Sequence, residues 1–429
     1  MLRSLALFAL GVSKVAYAAV IDQERDQGIP DTGLDTGPWT AGQVPPIAQM
    51  ITVNDFQIAA KNSMRARDYA YFRTGVLDET TYVNNLNIWK KIRLNGFHFS
   101  DVSDVNLATT ILGYEFSAPF FLAPAASAGR AHPDAEASII RAAGKAGILY
   151  VPSISSTLDI EQKAAAAVDG QVMFHQEYIW ANDTRLQDEL ARIEAGGFRA
   201  LFLTVDNRGV VGVRSRYQRF SNSGDSAHSS TFTIEALNHL RTLTDLPIVP
   251  KGLTTAHDVK LCAELGFPAV YLSNHGGRQV DGVPTAVEIL LDLHQQYPEV
   301  FDQIEVYADG GVRRSTHILA LLALGVRAVG MGRPPIFANV FGEAGVTRLI
   351  DILRQEMITE MMNLGQADVN HWFGNTTFIN TRQIELEYFG APFTVPTSRT
   401  PFVHPSPPGG SGVPSNATAK RGTMYMNMD

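Results

Sequence analysis

Eight apolar runs alternate with amphipathic segments through the middle of this chain, and that rhythm confines it to parallel α/β architectures. The runs begin near Pro119, Ile148, Gln171, Ala200, Pro247, Ala269, Ile304 and Ala328. Each is short and continuously apolar, as a strand buried on both faces must be. Helix-like segments separate most of them, for example at 134–146, 255–265 and 314–324. Strands and helices in this alternation predict a (β/α)8 TIM barrel. An open doubly wound sheet is the alternative, but it would gather its polar strand ends at one switch point. Here polar and glycine residues follow nearly every run along the whole chain. In a barrel those ends converge on one face, where active sites sit.

The flanks read differently. Residues 1–18 carry Arg3, an apolar core from Leu5 to Val12 and the small-x-small triplet Ala16-Tyr17-Ala18. That is the pattern of a secretory signal peptide, and its apolar run is too short for a membrane span. Asn-x-Thr sequons at Asn182, Asn375 and Asn416 fit a secreted glycoprotein. Residues 19–48 form an irregular lead-in rich in Asp, Gly and Pro. The barrel domain is expected over 49–390, opening with a helix over 51–75 that carries Phe56, Ala59, Ala60 and Met64 on one stripe. A long helix is expected over 343–364, and 400–429 read as a disordered tail rich in Pro, Ser and Gly. A net charge of −8 with no dense Lys/Arg run excludes a nucleic-acid partner. The single cysteine, Cys262, excludes an internal disulfide framework and a Cys-based metal site; no metal is expected.

The strand ends carry the chemistry. In chain order they offer Pro124-Ala125-Ala126, against which a flat ring can lie, then Ser153 and Ser155, then Gln176 and Tyr178. Thr204 and Asp206 follow, then Lys251, which is either a Schiff-base lysine or a fixed cation beside an electron-rich ring. The last two ends read Asp309-Gly310-Gly311-Val312-Arg313 and Gly330-Met331-Gly332-Arg333. Their glycines expose backbone N–H groups beside an arginine, which suits a phosphate at the final strands of a barrel. Between these lies Ser273-Asn274-His275-Gly276-Gly277-Arg278-Gln279. His275 can accept a proton near neutral pH. Arg278 presents a planar fork to a carboxylate. A base and a carboxylate clamp so close together point to an enzyme acting on an organic acid.

On those motifs, residues from about 51 to 365 resemble the FMN-dependent α-hydroxy acid oxidase/dehydrogenase family, which contains glycolate oxidase, lactate oxidase and the flavin domain of flavocytochrome b2. The resemblance implies FMN as cofactor and oxidation of an L-2-hydroxy acid to the 2-oxo acid. It implies His275 as base, Asp206 holding its imidazolium form, and Arg278 and Arg214 clamping the substrate carboxylate, with Tyr178 and Tyr71 hydrogen-bonding the substrate. Lys251 would sit by the flavin N1/C2 carbonyl. Ser153, Gln176, Thr204, Ser273 and the backbone of Pro124, Ala125 and Ala126 would hold the ring. Asp309 would bind the ribityl chain, and Gly311, Arg313, Gly332 and Arg333 the phosphate, with Gly310 also among the cofactor-binding residues. The resemblance also implies a homotetramer and an electron acceptor that is oxygen, a quinone or a cytochrome.

Some positions depart from the family pattern. Asn207-Arg208-Gly209-Val210-Val211 puts one extra residue between the strand-four aspartate and its arginine, so Arg208 rivals Arg214. The loop over 215–230 is short and polar, and Ser155 stands where glycolate oxidase-like members have tryptophan, which makes room for a larger substrate. Glu177 and His175 are expected to face away from the site, since strand neighbours alternate. His132 reads as a structural residue near a helix start, and Asp206 has a second reading as a helix cap. Two rival functions are a non-redox FMN-dependent isomerase and a secreted flavin-binding protein without turnover.

Overall fold

The structure, a computed structural model, describes residues 32–37, 39–209, 211–220, 228–390 and 402–404. The signal-like segment, Asn416 and most of the Pro-rich tail lie outside the described residues. Eight parallel strands form one sheet: β1 Phe120–Leu122, β2 Leu149–Tyr150, β3 His175–Glu177, β4 Leu201–Thr204, β5 Ile248–Leu253, β6 Ala269–Leu272, β7 Glu305–Ala308 and β8 Ala328–Met331. β1 pairs with β8 as well as β2. Parallel bridges Tyr150↔Met173 and Ser153↔Gln176 join β2 to β3 and close the circle. The expected (β/α)8 barrel is therefore the fold.

Strand starts match the apolar runs to within a residue, except that the run from Gln171 becomes strand only at His175. Gln171 instead uses its amide to accept from Val168 N and donate to Ile140 O. It pins the turn that enters the barrel, a job its apolar neighbours concealed. The barrel is packed, not a pore. Phe121, Phe202, Tyr271 and Tyr307 meet inside it with ring centroids 5.4–6.1 Å apart.

Three helices precede the barrel: α1 Val53–Ser63, α2 Ala66–Arg73 and α3 Thr80–Asn87. The single helix expected over 51–75 is thus corrected to two. Met64 and Arg65 are extended, at ψ 152° and 141°, which turns α2 toward the barrel mouth. Thr52 starts α1 with a capping box to Asp55. The outer layer comprises α4 Ala135–Ala146, α5 Ile160–Ala165, α6 Asp183–Ala195, α7 Ile234–Arg241, α8 Ala256–Glu264, α9 Ala286–Gln296, α10 Ser315–Ala323, α11 Arg333–Ala338, α12 Gly342–Asn363 and α13 Arg382–Phe389. Thr233, Thr255 and Thr285 cap α7, α8 and α9 through their side chains. No described helix is long and apolar enough to cross a membrane.

The N-terminal face of the barrel is sealed by polar contacts. The buried Glu305 carboxylate accepts from Leu112 N, Tyr307 Oη and His404 N. Phe402 N also donates to Phe301 O at 2.6 Å. Residues 402–404 are therefore bound to the barrel, which corrects the expectation of disorder there.

Candidate active site

The C-terminal strand ends surround a cavity of about 540 Å³. Every site residue expected from the sequence lines it except Asp206 and Ser273, which stand directly behind the lining. The cavity has two chemically distinct ends and a polar wall between them.

The wall is a ladder across adjacent strands. Ser153 Oγ donates to Gln176 Oε1 at 2.6 Å, and Gln176 Nε2 donates to Thr204 Oγ1 at 2.9 Å. Strand alternation sends Gln176 inward and its neighbours outward. His175 Nε2 lies 2.9 Å from Lys163 Nζ, and Glu177 accepts from Tyr178 N and Trp180 Nε1. Glu177 does face away from the cavity, but into a fully buried layer beneath α5 and α6 rather than into solvent. Burial, and then Glu189, push its carboxyl well above the usual range. Lys251 is buried, with Ser273 Oγ at 3.5 Å and no carboxylate partner among the described residues. Asp309 accepts from Tyr271 Oη and Ser273 Oγ through Oδ2, while its buried Oδ1 has no partner.

At one end lie two guanidinium groups, the buried Arg313 and the partly buried Arg333, with no carboxylate partner among the described residues. Burial pushes both down, Arg333 to about 9. Arg333 also directs its nitrogens to Phe72 O, Gly276 O and Thr74 O, so it ties α2 to the strand-six loop, a tertiary role invisible in its glycine-rich motif. Gly311 is left-handed, and a Cβ there would lie 1.8 Å from Asn85 O. Only glycine lets α3 close over this end. Asn85 in turn exchanges two amide hydrogen bonds with Asn274, at 2.8 and 2.9 Å. Behind the cradle, His317 stacks on Trp89 and accepts from Arg313 N. Burial and then Arg313 push its pKa down to about 3. The unfolded chain protonates this group near 6.5 and the folded chain does not. Its contribution is therefore intact above pH 6.5 and is lost as pH falls toward 3. Between pH 7 and 5 the loss is about 2 kcal/mol, so His317→Gln should flatten the pH dependence of unfolding over that interval. An unchanged slope would contradict the buried neutral assignment.

The other end holds a histidine–aspartate pair. His275 Nδ1 lies 2.9 Å from Asp206 Oδ1 and 3.2 Å from Oδ2. His275 itself has a left-handed backbone, φ 56°, and its N–H donates to Ser273 Oγ. Burial alone would raise the Asp206 carboxyl, but the charges of His275 and Lys251 and the His275 hydrogen bond hold it below the usual range. Asp206 therefore orients the histidine and caps no helix. Gly252 makes room for it: φ is +108°, and a Cβ would lie 2.6 Å from Asp206 Cγ. Gly252→Ala should lower activity as well as destabilise the fold. Gly266→Ala, also left-handed but with nothing within 4 Å of its Cβ, should cost only stability. Equal activity in the two variants would break the link between Gly252 and the pair.

Arg214 and Arg278 complete this end. Both donate through Nη1 to the same carbonyl, Tyr71 O, at 2.8 Å. Both also lie about the Tyr71 ring, at 5.0 and 5.1 Å from its centroid. Burial, and then the charge of Arg278, push Arg214 down to about 9. Its buried Nε has no partner. Arg208 is exposed and lies outside the cavity lining, so the structure places Arg214 and not Arg208 beside Arg278. Tyr178 lines the cavity and stacks on His228, centroids 3.8 Å apart. His132 accepts from Asp134 N just before α4, as a structural residue would.

Sequence reasoning missed Tyr82, Asn85, Trp180, Arg185, Asn207, His228 and Gln279, which also line the cavity. Asn274 and Gln279 stood inside the most informative motif. Tyr82, Asn85 and His228 come from segments outside the strand ends, and no local pattern marks them.

The residues present fit a mononucleotide. Guanidinium groups without a carboxylate partner among the described residues and a glycine cradle suit a phosphate, a ladder of amides and hydroxyls flanks a ring-sized wall, and Lys251 has no carboxylate partner among the described residues. A barrel with a glycine and arginine cradle that suits flavin mononucleotide at one end and a histidine–aspartate pair with two arginines at the other is the class that fold and site define. Residues 60–227 and 214–375 match the family model described as FMN-dependent dehydrogenase, and the chain belongs to that family. Among curated relatives, L-lactate dehydrogenase (cytochrome) of Saccharomyces cerevisiae is 34% identical over 360 residues, 76% of this chain and 60% of the relative. The counterpart from Wickerhamomyces anomalus is 32% identical, over 75% of this chain and 60% of its own length. This chain thus spans about 60% of the lactate dehydrogenases it matches. Glycolate oxidase of Spinacia oleracea is 31% identical, covering 72% of this chain and 90% of the relative. Among solved structures, a flavocytochrome b2 variant with sulfite bound superposes with TM-score 0.77 at 30% identity, over 82% of this chain and 92% of the other.

Proposed function

We propose that this protein is an FMN-dependent oxidoreductase that converts an L-2-hydroxy acid to the 2-oxo acid. One observation carries the reading: Arg214 and Arg278 converge on a single carbonyl without a carboxylate partner among the described residues, in the same cavity as the His275–Asp206 pair. Two like charges held together, one of them buried, call for an anion between them, and a carboxylate placed there lies beside the base. Bound FMN supplies the two-electron sink. His275 Nε2 accepts the substrate hydroxyl proton, since Nδ1 is committed to Asp206. Asp206 stabilises the resulting imidazolium without taking its proton. Tyr71 and Tyr178 fix the substrate laterally, and the arginines hold it in one orientation, which removes rotational freedom before reaction. The residues that would hold FMN are Lys251, the Ser153–Gln176–Thr204 ladder, Asp309, Gly311, Arg313 and Arg333. A non-redox isomerase on the same cradle has no use for the paired arginines, and a protein without turnover none for a base held by a buried aspartate.

Anaerobic titration of the purified holoprotein with 2-hydroxy acids from glycolate to mandelate tests the reading. Loss of the oxidised flavin absorbance with at least one of them is expected, and readmitted air then distinguishes oxygen from a quinone or cytochrome as acceptor. A flavin spectrum that no 2-hydroxy acid changes would overturn it. The same reading routes the chain through the secretory pathway, on the strength of residues 1–18 and the exposed sequon residue Asn182. A secreted product that begins after Ala18 is the expected result.

A further inference from the structure

The outer end of the cavity contains a guanidinium that neither the carboxylate clamp nor the cofactor cradle uses. Arg185 stands in the first turn of α6 and lines the cavity beyond Tyr178. Its guanidinium carbon lies 3.4 Å from the centroid of the Trp180 ring. That indole is itself fixed, with Nε1 donating to Glu177 Oε1 at 3.1 Å. Only the Nε edge of Arg185 is engaged, with Glu189 Oε1 at 3.0 Å. Its two Nη nitrogens have no protein partner among the described residues. The group is thus held between a ring and a carboxylate with its fork open, a pre-organised donor pair for a planar anion.

The surroundings limit what can reach it. His228 stacks on Tyr178, and its backbone bridges to Trp180. Burial, and then the nearby charges of Arg185 and His275, push His228 down to about 4, so this wall is neutral at pH 7. Ser155, also on the lining, adds little bulk to the cavity. A hydrophobic side chain would leave the fork hydrated. A side chain ending in a carboxylate satisfies it.

We propose that the outer end of this cavity selects 2-hydroxy acids carrying a second carboxylate, held by the Nη fork of Arg185 while Arg214 and Arg278 hold the first. This rests on the reading of the site as a 2-hydroxy acid oxidoreductase. The test compares malate, 2-hydroxyglutarate and 2-hydroxyadipate with the terminal monoamide of each, on the full FMN-loaded chain. Flavin reduction gives kcat/KM. Calorimetry with the matching 2-oxo diacids and their monoamides gives affinity without turnover. At least one diacid should exceed its monoamide by about tenfold or more in both readouts. Arg185→Met should bring that ratio close to one, and Arg185→Lys should retain part of it, as a point charge without a fork. Diacids no better than monoamides in the natural protein, or a ratio that survives Arg185→Met, would overturn the proposal while leaving the oxidoreductase reading intact. If neither series nor any simple 2-hydroxy acid reduces the flavin, it is the oxidoreductase reading that fails.

Discussion

His275→Ala should bind FMN as the natural protein does and lose about 10²–10⁴-fold in the rate at which substrate reduces it. The separation of the two effects follows from geometry. The His275 side chain is held by Asp206 and the cavity face, and its backbone by Ser273 Oγ. Of the residues proposed to hold the phosphate, Gly311, Arg313 and Arg333, only Arg333 comes near, and it meets backbone beside the histidine, at Gly276 O, rather than the imidazole. Removing the imidazole leaves Asp206 beside Lys251 without its His275 hydrogen bond, but the ladder of Ser153, Gln176 and Thr204 is unchanged. Rapid-mixing absorbance under anaerobic conditions reads the reduction rate, and the visible spectrum reads cofactor content. Unimpaired reduction in this variant would remove His275 from the role of base.

Arg214→Ala should lower kcat/KM by at least about 30-fold, the effect expected when one partner of a buried ionic contact, worth about 2–5 kcal/mol, is removed. Arg208→Ala should change it by less than about twofold, as exposed substitutions away from special features do. The sequence left these two arginines as rivals because each follows Asp206 at a plausible spacing. The chain decides between them by folding back: Arg214 reaches Tyr71 O and Arg278, and Arg208 points to solvent. The reverse order of effects would move the clamp to Arg208 and reopen the assignment of the whole loop.

The sequence by itself determined the barrel and the chemistry of its mouth. Parallel strands buried on both faces must be continuously apolar, and the chain must turn polar where each strand leaves the core, so eight such transitions announce both the sheet and the positions of Ser153, Gln176, Thr204, Lys251, His275 and Asp309. Strand alternation likewise turned His175 and Glu177 away from the cavity. What the tertiary structure alone decided lies where distant segments meet. The break in the first helix at Met64–Arg65 swings Tyr71 over the arginines. Asn85 reaches across 189 positions to Asn274, and Arg185, Trp180 and His228 assemble a second polar end to the pocket. Such contacts depend on loop closure and packing between elements far apart in the chain. They leave no period or local motif, because neither residue's neighbours in sequence are its neighbours in space.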